Sequence, residues 1–257
     1  MDGSEQVAAY VRAGLEDGAM APVYLFHCAN ICEIIRPGDT VLDLACGPAK
    51  QLAMVARLNP ATKFVGVDLS EPMLGQAREL VARQGLENVS FRRGDISNLS
   101  AYSNASFDAV VSTMALHHLP DGPALERTFL EVARLLKPGG GTYLVDFGRL
   151  KSERSILYFA ERSIQERQDY LNSLRAAFTL QDFRRAAAPI LAQARLYSTF
   201  IIPYMVAIKS SSRQSANLAL GSKLAEVRSR LSTQHQIDVG DLMTFFRLGG
   251  MTCALLG

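Results

Sequence analysis

The length, charge and cysteine content of the chain exclude several classes of protein. Its 257 residues suffice for one sizeable α/β core with additions. A net charge of +2, with Lys and Arg dispersed along the chain, does not favour a nucleic-acid-binding surface. The chain has no apolar run long enough for a membrane span, and its acidic, polar beginning does not resemble a secretory signal. We therefore expect a cytoplasmic protein that binds neither membranes nor nucleic acids.

The N-terminal part, residues 4–35, is predicted to form two helices around a Gly-containing stretch. The second helix carries Cys28 and Cys32 at positions i and i+4, next to His27. Such a pair could bind a soft metal or arsenic, but an ordinary buried face is the default for free cysteines, and two ligands do not make a zinc site. We expect no metal, and the four cysteines are too few and too unevenly spaced for a disulfide scaffold.

A βαβ rhythm begins after residue 38. The segment VLDLACGPAK, residues 41–50, is predicted to be a buried strand that runs into a turn with Gly47 and then a helix, and FVGVD is a second strand that ends in Asp68. Further apolar strands alternate with helices expected near residues 49–58, 72–84 and 123–136. This alternation predicts a mainly parallel, doubly wound sheet with a ligand site at the carboxyl ends of its strands.

The turn at Gly47 does not suit a dinucleotide enzyme. A pyrophosphate needs the spaced glycines of the G-x-G-x-x-G fingerprint, and of these the turn keeps Gly47, between Ala45 and Ala49. The turn is better suited to an adenosine-containing cofactor that carries no phosphate.

Four further segments strengthen this interpretation. SEPML, FRRGDIS, FDAVVSTMALHHL and LERTFLEVARLLKPGGGTYLVDF follow the first motif in this order. Over about residues 38–148 the set resembles class I, Rossmann-like S-adenosylmethionine (SAM)-dependent methyltransferases, in particular small enzymes of the type 11 and type 25 groups. The Leu-Lys-Pro-Gly-Gly signature, which is predicted to be a turn between a helix and the fifth strand, is nearly as characteristic of that family as the first motif. Ala45 and Ala49 depart from the family pattern, which usually has glycines there.

The resemblance implies SAM as the cofactor, S-adenosylhomocysteine as its product and no metal. It implies that Asp43 lies near the ammonium group of SAM and that Asp68 accepts the ribose diol. Asp95 and the backbone of Ile96 would contact the adenine. Lys50 could meet the methionyl carboxylate, with a solvated lysine as the alternative. The implied cofactor residues are Asp43, Ala45, Gly47, Lys50, Asp68, Leu69, Met73, Asp95, Ile96, Thr113 and Met114.

Methyl transfer from a sulfonium mostly requires alignment and a dry cavity, so no universal catalytic residue is expected. The fourth strand opens into LHHL, where His117 or His118 has a suitable pKa for a general base, although either could simply hold the loop by packing. The candidate substrate-binding residues lie at and beyond the exit of the fifth strand and are Asp146, Arg149, Tyr158 and Tyr170. Asp146 could instead cap the next segment, and the tyrosines could belong to a core of their own.

The second half of the chain adds helices and closes the sheet. Residues 149–178 are predicted to form a helical insertion over the active site, followed by a helix that begins with a capping box of Thr179 and Asp182. The segments ARLYSTFI and YMVAIKS are predicted to form an antiparallel hairpin. The Ser- and Ala-rich residues 211–220 indicate a linker, and a further helix is expected near residues 223–233.

The predicted architecture is an α/β fold with a doubly wound, mostly parallel seven-stranded sheet whose last strand is antiparallel. We expect an N-terminal helical cap in residues 1–37, the SAM-binding methyltransferase domain in residues 38–210 and a C-terminal helical extension in residues 211–257. The extension is one candidate surface for a homodimer.

The sequence thus predicts a methyltransferase that acts by in-line displacement on an oxygen or nitrogen, less favourably a carbon or sulfur, of a small-molecule metabolite or a peptide. A nucleic-acid amino-methyltransferase is disfavoured because STMALHH lacks the Asn/Asp-Pro-Pro-aromatic tetrad that grips an exocyclic amine. Two alternatives stay open. One is methylation of trivalent arsenic, suggested by Cys28, Cys32 and Cys253 although their spacing does not match that family. The other is a catalytically silent SAM-binding module that supports a partner protein.

Overall fold

Seven strands form one mixed sheet in the computed structural model, which describes residues 18–161, 167–214 and 217–256. In chain order the strands are β1 (Thr40–Leu44), β2 (Lys63–Asp68), β3 (Val89–Arg93), β4 (Phe107–Thr113), β5 (Leu136–Phe147), β6 (Ala194–Ser198) and β7 (Met205–Ser210). Their spatial order is β3-β2-β1-β4-β5-β7-β6. The strand order therefore reverses between β1 and β4, which is the switch point of a doubly wound sheet. The predicted α/β class is confirmed.

The strand pairing brings the predicted site residues to one edge of the sheet. β1 pairs in parallel with both β2 and β4, so Asp43 lies beside Gly66 and Val111. β7 runs antiparallel to β5 and β6, which confirms the predicted closing hairpin. Because Phe147 at the end of β5 pairs with Met205 at the start of β7, the loop between β6 and β7 also reaches this edge.

The Lys-Pro-Gly-Gly segment, predicted to be a turn, belongs to β5 itself. Its pairing with β4 is irregular, because Phe107 pairs with Leu136 whereas Ala109 already pairs with Gly141. Gly139 in the intervening stretch has a φ of 72°, a conformation that glycine adopts without steric cost. The glycines thus produce a bulge inside the strand, and the sequence pattern alone does not distinguish this from a turn.

The helices are α1 (Ala21–Ile34), α2 (Lys50–Leu58), α3 (Glu71–Arg83), α4 (Gly122–Leu135), α5 (Glu153–Glu161), α6 (Arg167–Ala176), α7 (Leu180–Ala186), α8 (Leu218–Arg230) and α9 (Thr233–Leu248). The three helices predicted in the core are present as α2, α3 and α4. The predicted capping box is also present, since Thr179 and Asp182 cap each other at the start of α7. The earlier of the two predicted N-terminal helices lies outside the described residues. None of the helices described is long and apolar enough to cross a bilayer.

The two faces of the sheet bury separate hydrophobic clusters. On one face, α1, α2 and α9 share a cluster with Val41, Tyr143 and Val145. On the other face, α4 and α7 share a cluster with Leu42 and Leu144. The alternation of Val41 with Leu42, and of Tyr143 with Leu144, follows from the two-residue repeat of a strand. A smaller third cluster joins α5 and α6 to the end of β5.

Residues 211–220 form more than the linker that their composition indicates. Arg213 donates from Nη1 to the carboxylate of Asp39 at 2.6 Å and to the carbonyl of Ile34 at 3.1 Å, and α8 begins within the same stretch. The Ser- and Ala-rich composition indicated a loosely attached linker. Instead, the hydrogen bonds from Arg213 to Asp39 and Ile34 hold this part of the chain against the core.

A buried ion pair joins the N-terminal helix, the last strand and the C-terminal tail. Lys209 on β7 donates from Nζ to the carboxylate of Glu33 on α1, to Asn30 Oδ1 at 2.7 Å and to the carbonyl of Thr252 at 2.9 Å. The other carboxylate oxygen of Glu33 accepts the backbone N–H of Ala254. Both charged side chains are almost inaccessible to solvent, so each depends on these partners to offset the loss of hydration.

Breaking this pair is expected to destabilise the protein strongly. Lys209→Met leaves the Glu33 carboxylate buried without its cation, and we expect a loss of about 3–5 kcal/mol in the free energy of unfolding, measured by urea denaturation. The double variant Glu33→Gln, Lys209→Met should recover part of the loss. The exposed pair of Glu226 and Arg230 provides the control, because Arg230→Met should cost less than about 1 kcal/mol. Equal effects of the two single variants would contradict the structural role of the buried pair.

Candidate functional site

The turn between β1 and α2 has an unusual backbone. Ala45, Gly47 and Ala49 all have positive φ, at 54°, 53° and 59°. A residue with a Cβ pays a steric penalty of about 1 kcal/mol in this region. The two alanines that depart from the family pattern therefore keep the backbone path that glycines would follow. Strain of this kind concentrates at functional sites.

Asp68 at the end of β2 fixes this turn. Its Oδ2 accepts the backbone N–H of Gly47 at 2.8 Å, and its Oδ1 accepts that of Ser70 at 2.9 Å. A backbone hydrogen bond from Cys46 to Val67, at 3.0 Å, adds a second connection between the turn and β2. Each carboxylate oxygen keeps acceptor capacity for another donor. Asp68 can therefore hold the turn and still accept hydrogen bonds from the hydroxyl groups of a ligand.

A narrow cleft lies between this turn, α1 and the end of β4. Its lining residues are Tyr24, His27, Asp43, Ala45, Cys46, Pro48, Lys50, Gln51, Thr113 and Met114. Five of the predicted cofactor residues meet here, namely Asp43, Ala45, Lys50, Thr113 and Met114. Met114 has a φ of 55° and donates its backbone N–H to the carbonyl of Val145 at 2.9 Å, so the backbone turns sharply where β4 ends.

Asp43 is the buried acid of this cleft. Burial, with a smaller contribution from the negative charge of Asp68, raises the pKa of the Asp43 carboxyl to about 8. A buried carboxyl in this state gains from a cationic partner, since an opposite charge favours its ionised form. Lys50, at the first turn of α2, is only partly buried, and this burial lowers the pKa of its ammonium group.

His27 and Gln51, which the motif comparison missed, bring two unpaired polar atoms to the same cleft. The Nδ1 of His27 lies 2.8 Å from the hydroxyl of Tyr143. Burial lowers the pKa of His27 to about 3, so the ring is neutral and carries one N–H. The buried Tyr143 hydroxyl needs an acceptor, and Nδ1 provides it, which leaves the proton of the ring on Nε2. Within the described ranges His27 Nε2 and Gln51 Oε1 have no hydrogen-bond partner.

These atoms fit the amino-acid end of SAM. The Nε2–H of His27 is an unsatisfied donor for a carboxylate, and Gln51 Oε1 and the Asp43 carboxyl are acceptors for an ammonium group. The sequence offered a weak signal for this arrangement, because a histidine beside two cysteines on an apolar helix needs a polar partner. Only the packing of α1 against β5 and α2 identifies the partner and the cleft.

The predicted adenosine residues follow β2 and β3. Ile96 and Met73 are buried, whereas Leu69, next to Asp68, is 62% exposed. Asp95 uses Oδ1 to accept the backbone N–H and the hydroxyl of Ser97, both at 2.8 Å. This leaves its second oxygen available, as an adenine amino group requires.

His117 and Asp146 form a buried dyad at the ends of β4 and β5. His117 Nδ1 lies 2.7 Å from Asp146 Oδ1, and the His117 backbone N–H donates to Oδ2, also at 2.7 Å. Oδ1 accepts the backbone N–H of Phe147 as well. Because the carboxylate accepts the Nδ1 proton, the lone pair of the neutral ring lies on Nε2. This Nε2 is buried and has no partner among the described residues.

The dyad adjoins a cleft with a volume of about 520 Å³. This volume lies in the range of small-molecule pockets. The cleft is lined by His117, Leu119, Pro120, Asp121, Gly122, Pro123, Arg149, Ala176, Phe178, Asp182 and Arg185.

The other predicted catalytic and substrate residues take different positions. The rings of His118 and His117 are tilted by 43° with centroids 4.1 Å apart, and desolvation together with the neighbouring His117 lowers the pKa of His118 to about 4. Tyr170 packs edge-on against Phe147 at 5.3 Å, close to the dyad, whereas Tyr158 is 58% exposed on α5. Asp146 is fully buried and occupied by protein donors, which suits a residue that positions His117 better than one that contacts substrate.

The cysteines lie in the core rather than at an open site. Cys28 and Cys32 are fully buried in α1, and Asn59 donates to the sulfur of Cys32 at 3.2 Å. A hydrogen bond to Cys32 and burial raise the pKa of the Cys28 thiol. The described residues contain no group of three or more His, Cys, Asp or Glu that could hold a metal ion.

The fold defines a Rossmann-like α/β protein, and comparisons with known proteins show what it is similar to. A methyltransferase domain family matches residues 41–140. The structure is similar to that of YcgJ from Bacillus subtilis, with a TM-score of 0.53, 18% identity and coverage of 84% of this chain and 88% of that one. A methyltransferase-like structure from Bacillus halodurans gives a TM-score of 0.51 at 21% identity, over 85% of this chain and 84% of the other.

Curated relatives match between 41% and 50% of the chain. Nocamycin O-methyltransferase from Saccharothrix syringae is 39% identical over 131 residues, which are 50% of this chain and 45% of that protein. Trans-aconitate 2-methyltransferase from Deinococcus radiodurans is 41% identical over 41% of this chain and 36% of its own length. Arsenite methyltransferase from Halobacterium salinarum is 35% identical over 44% and 28%. The chain thus spans less than half of these relatives. Residues 41–140 resemble a methyltransferase domain, and the relatives that the chain matches in part are methyltransferases by name.

The raised pKa of Asp43 predicts a pH-dependent affinity for SAM. If Asp43 pairs with the ammonium group, binding requires its ionised form and releases a proton below pH 8. The affinity should therefore rise with pH up to about 8 and level off above it, with a loss of up to about tenfold per pH unit below. Calorimetry in buffers of different ionisation enthalpy measures both the affinity and the released proton. Asp43→Asn should flatten the profile, and an unchanged profile in this variant would rule out Asp43 as the titrating group.

Proposed function

We propose that the protein binds SAM in the narrow cleft at the Gly47 turn and transfers the methyl group to an oxygen or nitrogen of a small molecule or a peptide. The observation that carries the proposal is the His117–Asp146 dyad, because His117 has a buried, unpaired Nε2 and lines a cleft of about 520 Å³ at the carboxyl edge of the sheet. The name of the nocamycin relative, an O-methyltransferase, supports an oxygen acceptor.

SAM, when bound, supplies a methyl group attached to a sulfonium, whose sulfur leaves readily as a neutral thioether. The protein then has to align the acceptor, exclude water and remove a proton from a hydroxyl or amine. His117 Nε2 is the group that takes this proton, while Asp146 holds the ring by Nδ1 and stabilises the imidazolium that forms. Asp146 acts through His117 and is therefore a positioning residue.

In this proposal the cofactor is held by residues of the narrow cleft together with Asp68 at the end of β2 and Asp95 just after β3. Asp68 accepts hydrogen bonds from the ribose hydroxyls, and Asp95 accepts one from the adenine amino group. Asp43 and Gln51 accept hydrogen bonds from the ammonium group. These roles agree with the acceptor capacity that each side chain retains after its protein contacts.

The proposal is tested by two measurements on the purified chain. Calorimetry should show SAM and S-adenosylhomocysteine binding, and incubation of the protein with methyl-labelled SAM and a metabolite extract should transfer label to a compound of small mass. Binding without transfer to any fraction, combined with co-purification of a partner protein, would favour the silent-module alternative.

Arsenite methylation is the second enzymatic candidate, because arsenite methyltransferases are among the relatives. Burial of Cys28 and Cys32 within the α1 core argues against it, since a thiol must be reachable to bind a metalloid.

The cysteine pair provides a direct test of this candidate. The double variant Cys28→Ala, Cys32→Ala should fold with a modest loss of stability, of order 1–2 kcal/mol, because small buried groups are removed. Transfer to the organic acceptor should stay near the wild-type rate. If the wild type methylates arsenite and the double variant selectively loses this activity, the metalloid function is correct instead.

A further inference from the structure

The large cleft beside His117 combines an apolar wall with charged side chains. Leu119, Pro120 and Phe178 contribute apolar surface, and His117, whose buried Nε2 is unpaired among the described residues, also lines the cleft. The charged residues of the lining are Asp121, Arg149, Asp182 and Arg185. Which of these charges are already satisfied by the protein determines what kind of molecule the cleft can take.

Three of the four charges have protein partners. Arg185 donates to the carboxylates of Glu126 and Asp182, at 2.5 and 3.1 Å. The hydrogen bonds from Thr179 are the main reason that the pKa of Asp182 is lowered, so this acid is ionised and largely occupied. Asp121 is the N-cap of α4 and accepts the backbone N–H of Ala124 at 2.8 Å, where the helix dipole compensates a negative charge.

Arg149 is different. Its guanidinium makes one hydrogen bond within the described residues, from Nη2 to the backbone carbonyl of Arg175 at 3.0 Å. The positive charge of Arg149 contributes to the lowered pKa of Asp182, but Arg149 forms no direct ion pair with a described carboxylate. Its backbone N–H donates to the carbonyl of Phe178 at 2.8 Å, which holds the residue at the cleft just beyond the end of β5. Arg149 therefore offers most of its donors to a ligand.

From these contacts we infer that the substrate is an acid of metabolite size that carries a carboxylate for Arg149 and a separate hydroxyl or amine for His117. The inference rests on the proposed function, because it assigns the acceptor to His117. A planar guanidinium binds a carboxylate through two parallel hydrogen bonds, so Arg149 fixes both the charge and the orientation of the molecule. The apolar lining of the same cleft suits an aromatic or aliphatic body, as in a phenolic acid.

Benzoate and benzamide test the anion preference without knowledge of the true substrate. Their binding to the protein saturated with S-adenosylhomocysteine is measured by ligand-observed NMR. We expect benzoate to bind about tenfold more tightly than benzamide, the effect of one charge-assisted contact in a partly hydrated cleft. Arg149→Gln should abolish the preference, and Arg149→Lys should restore only part of it, because lysine lacks the fork geometry.

Arg184→Gln is the matched control. Arg184 is exposed on the same helix as Arg185 and does not line the cleft, so its loss changes the net charge equally but should leave the benzoate preference intact. Calorimetry with S-adenosylhomocysteine shows whether each variant is folded. Equal binding of benzoate and benzamide, no binding of benzoate, or a preference that survives Arg149→Gln would overturn the inference.

A turnover experiment extends the test to the acceptor group. Hydroxybenzoic and hydroxycinnamic acids are compared with their primary amides in the presence of methyl-labelled SAM, and the acids should show the higher kcat/KM. Failure of the wild type to bind SAM or its product contradicts the proposed function. The benzoate comparison does not depend on that result, since it can be repeated without the cofactor.

Discussion

Replacement of His117 by Ala is expected to lower kcat by about 100- to 10,000-fold, because the variant loses the group that removes the acceptor proton. The Kd for SAM should change by less than about threefold, since none of the proposed cofactor contacts involves the ring. Steady-state kinetics with the identified acceptor, paired with SAM titration, measures both quantities. The effect should be largest for acceptors with a high pKa, which depend most on a base.

Two comparisons separate the role of His117 from a packing role. Asp146→Asn should reduce kcat by a similar factor, because an amide no longer fixes the Nδ1–H tautomer or stabilises the imidazolium. His118→Ala should cost far less, since the His118 ring lies tilted against that of His117 and forms no hydrogen bond with Asp146 among the described residues. A loss in His118→Ala as large as in His117→Ala, or normal turnover in His117→Ala, would contradict the assignment of the base.

Asp68→Ala is expected to weaken SAM binding by about ten- to a hundredfold, equivalent to about 1.5–3 kcal/mol. The substitution leaves two ribose hydroxyls without their charged acceptor. It also releases the backbone N–H groups of Gly47 and Ser70, so the strained turn loses the residue that fixes it. Calorimetry measures the change in Kd, and the heat capacity of unfolding shows whether the variant keeps its core.

Asp95→Ala is the matched comparison for Asp68. Its carboxylate holds only the local turn at Ser97, so the expected loss of SAM affinity is smaller and confined to the adenine contact. Unchanged SAM binding in Asp68→Ala would contradict the cofactor assignment of the whole motif set.

The sequence was sufficient to predict those structural features that depend on residues close together in the chain. The buried run of β1, the turn at Gly47, the acid at the end of β2 and the capping box of Thr179 are all local patterns, and each is present. The alternation of strands and helices also determined the doubly wound sheet, because parallel strands require crossover helices. Composition was less informative, since the Ser-rich segment around Arg213 gave no indication of the hydrogen bond from Arg213 to Asp39.

Tertiary structure decided everything that joins residues far apart in the chain. His27 meets Tyr143, His117 meets Asp146, and Lys209 meets Glu33 across separations of 116, 29 and 176 residues. No sequence pattern records these pairings, because each depends on which helix covers which face of the sheet. The sequence by itself indicated the resemblance to methyltransferases over residues 41–140 and the turn at Gly47. Only the folded chain showed that Asp146 binds His117 and that α1 lines the narrow cleft. It also showed that Arg149 has no carboxylate partner among the described residues. These features could not be predicted, because burial and hydrogen-bond satisfaction depend on how distant segments pack together.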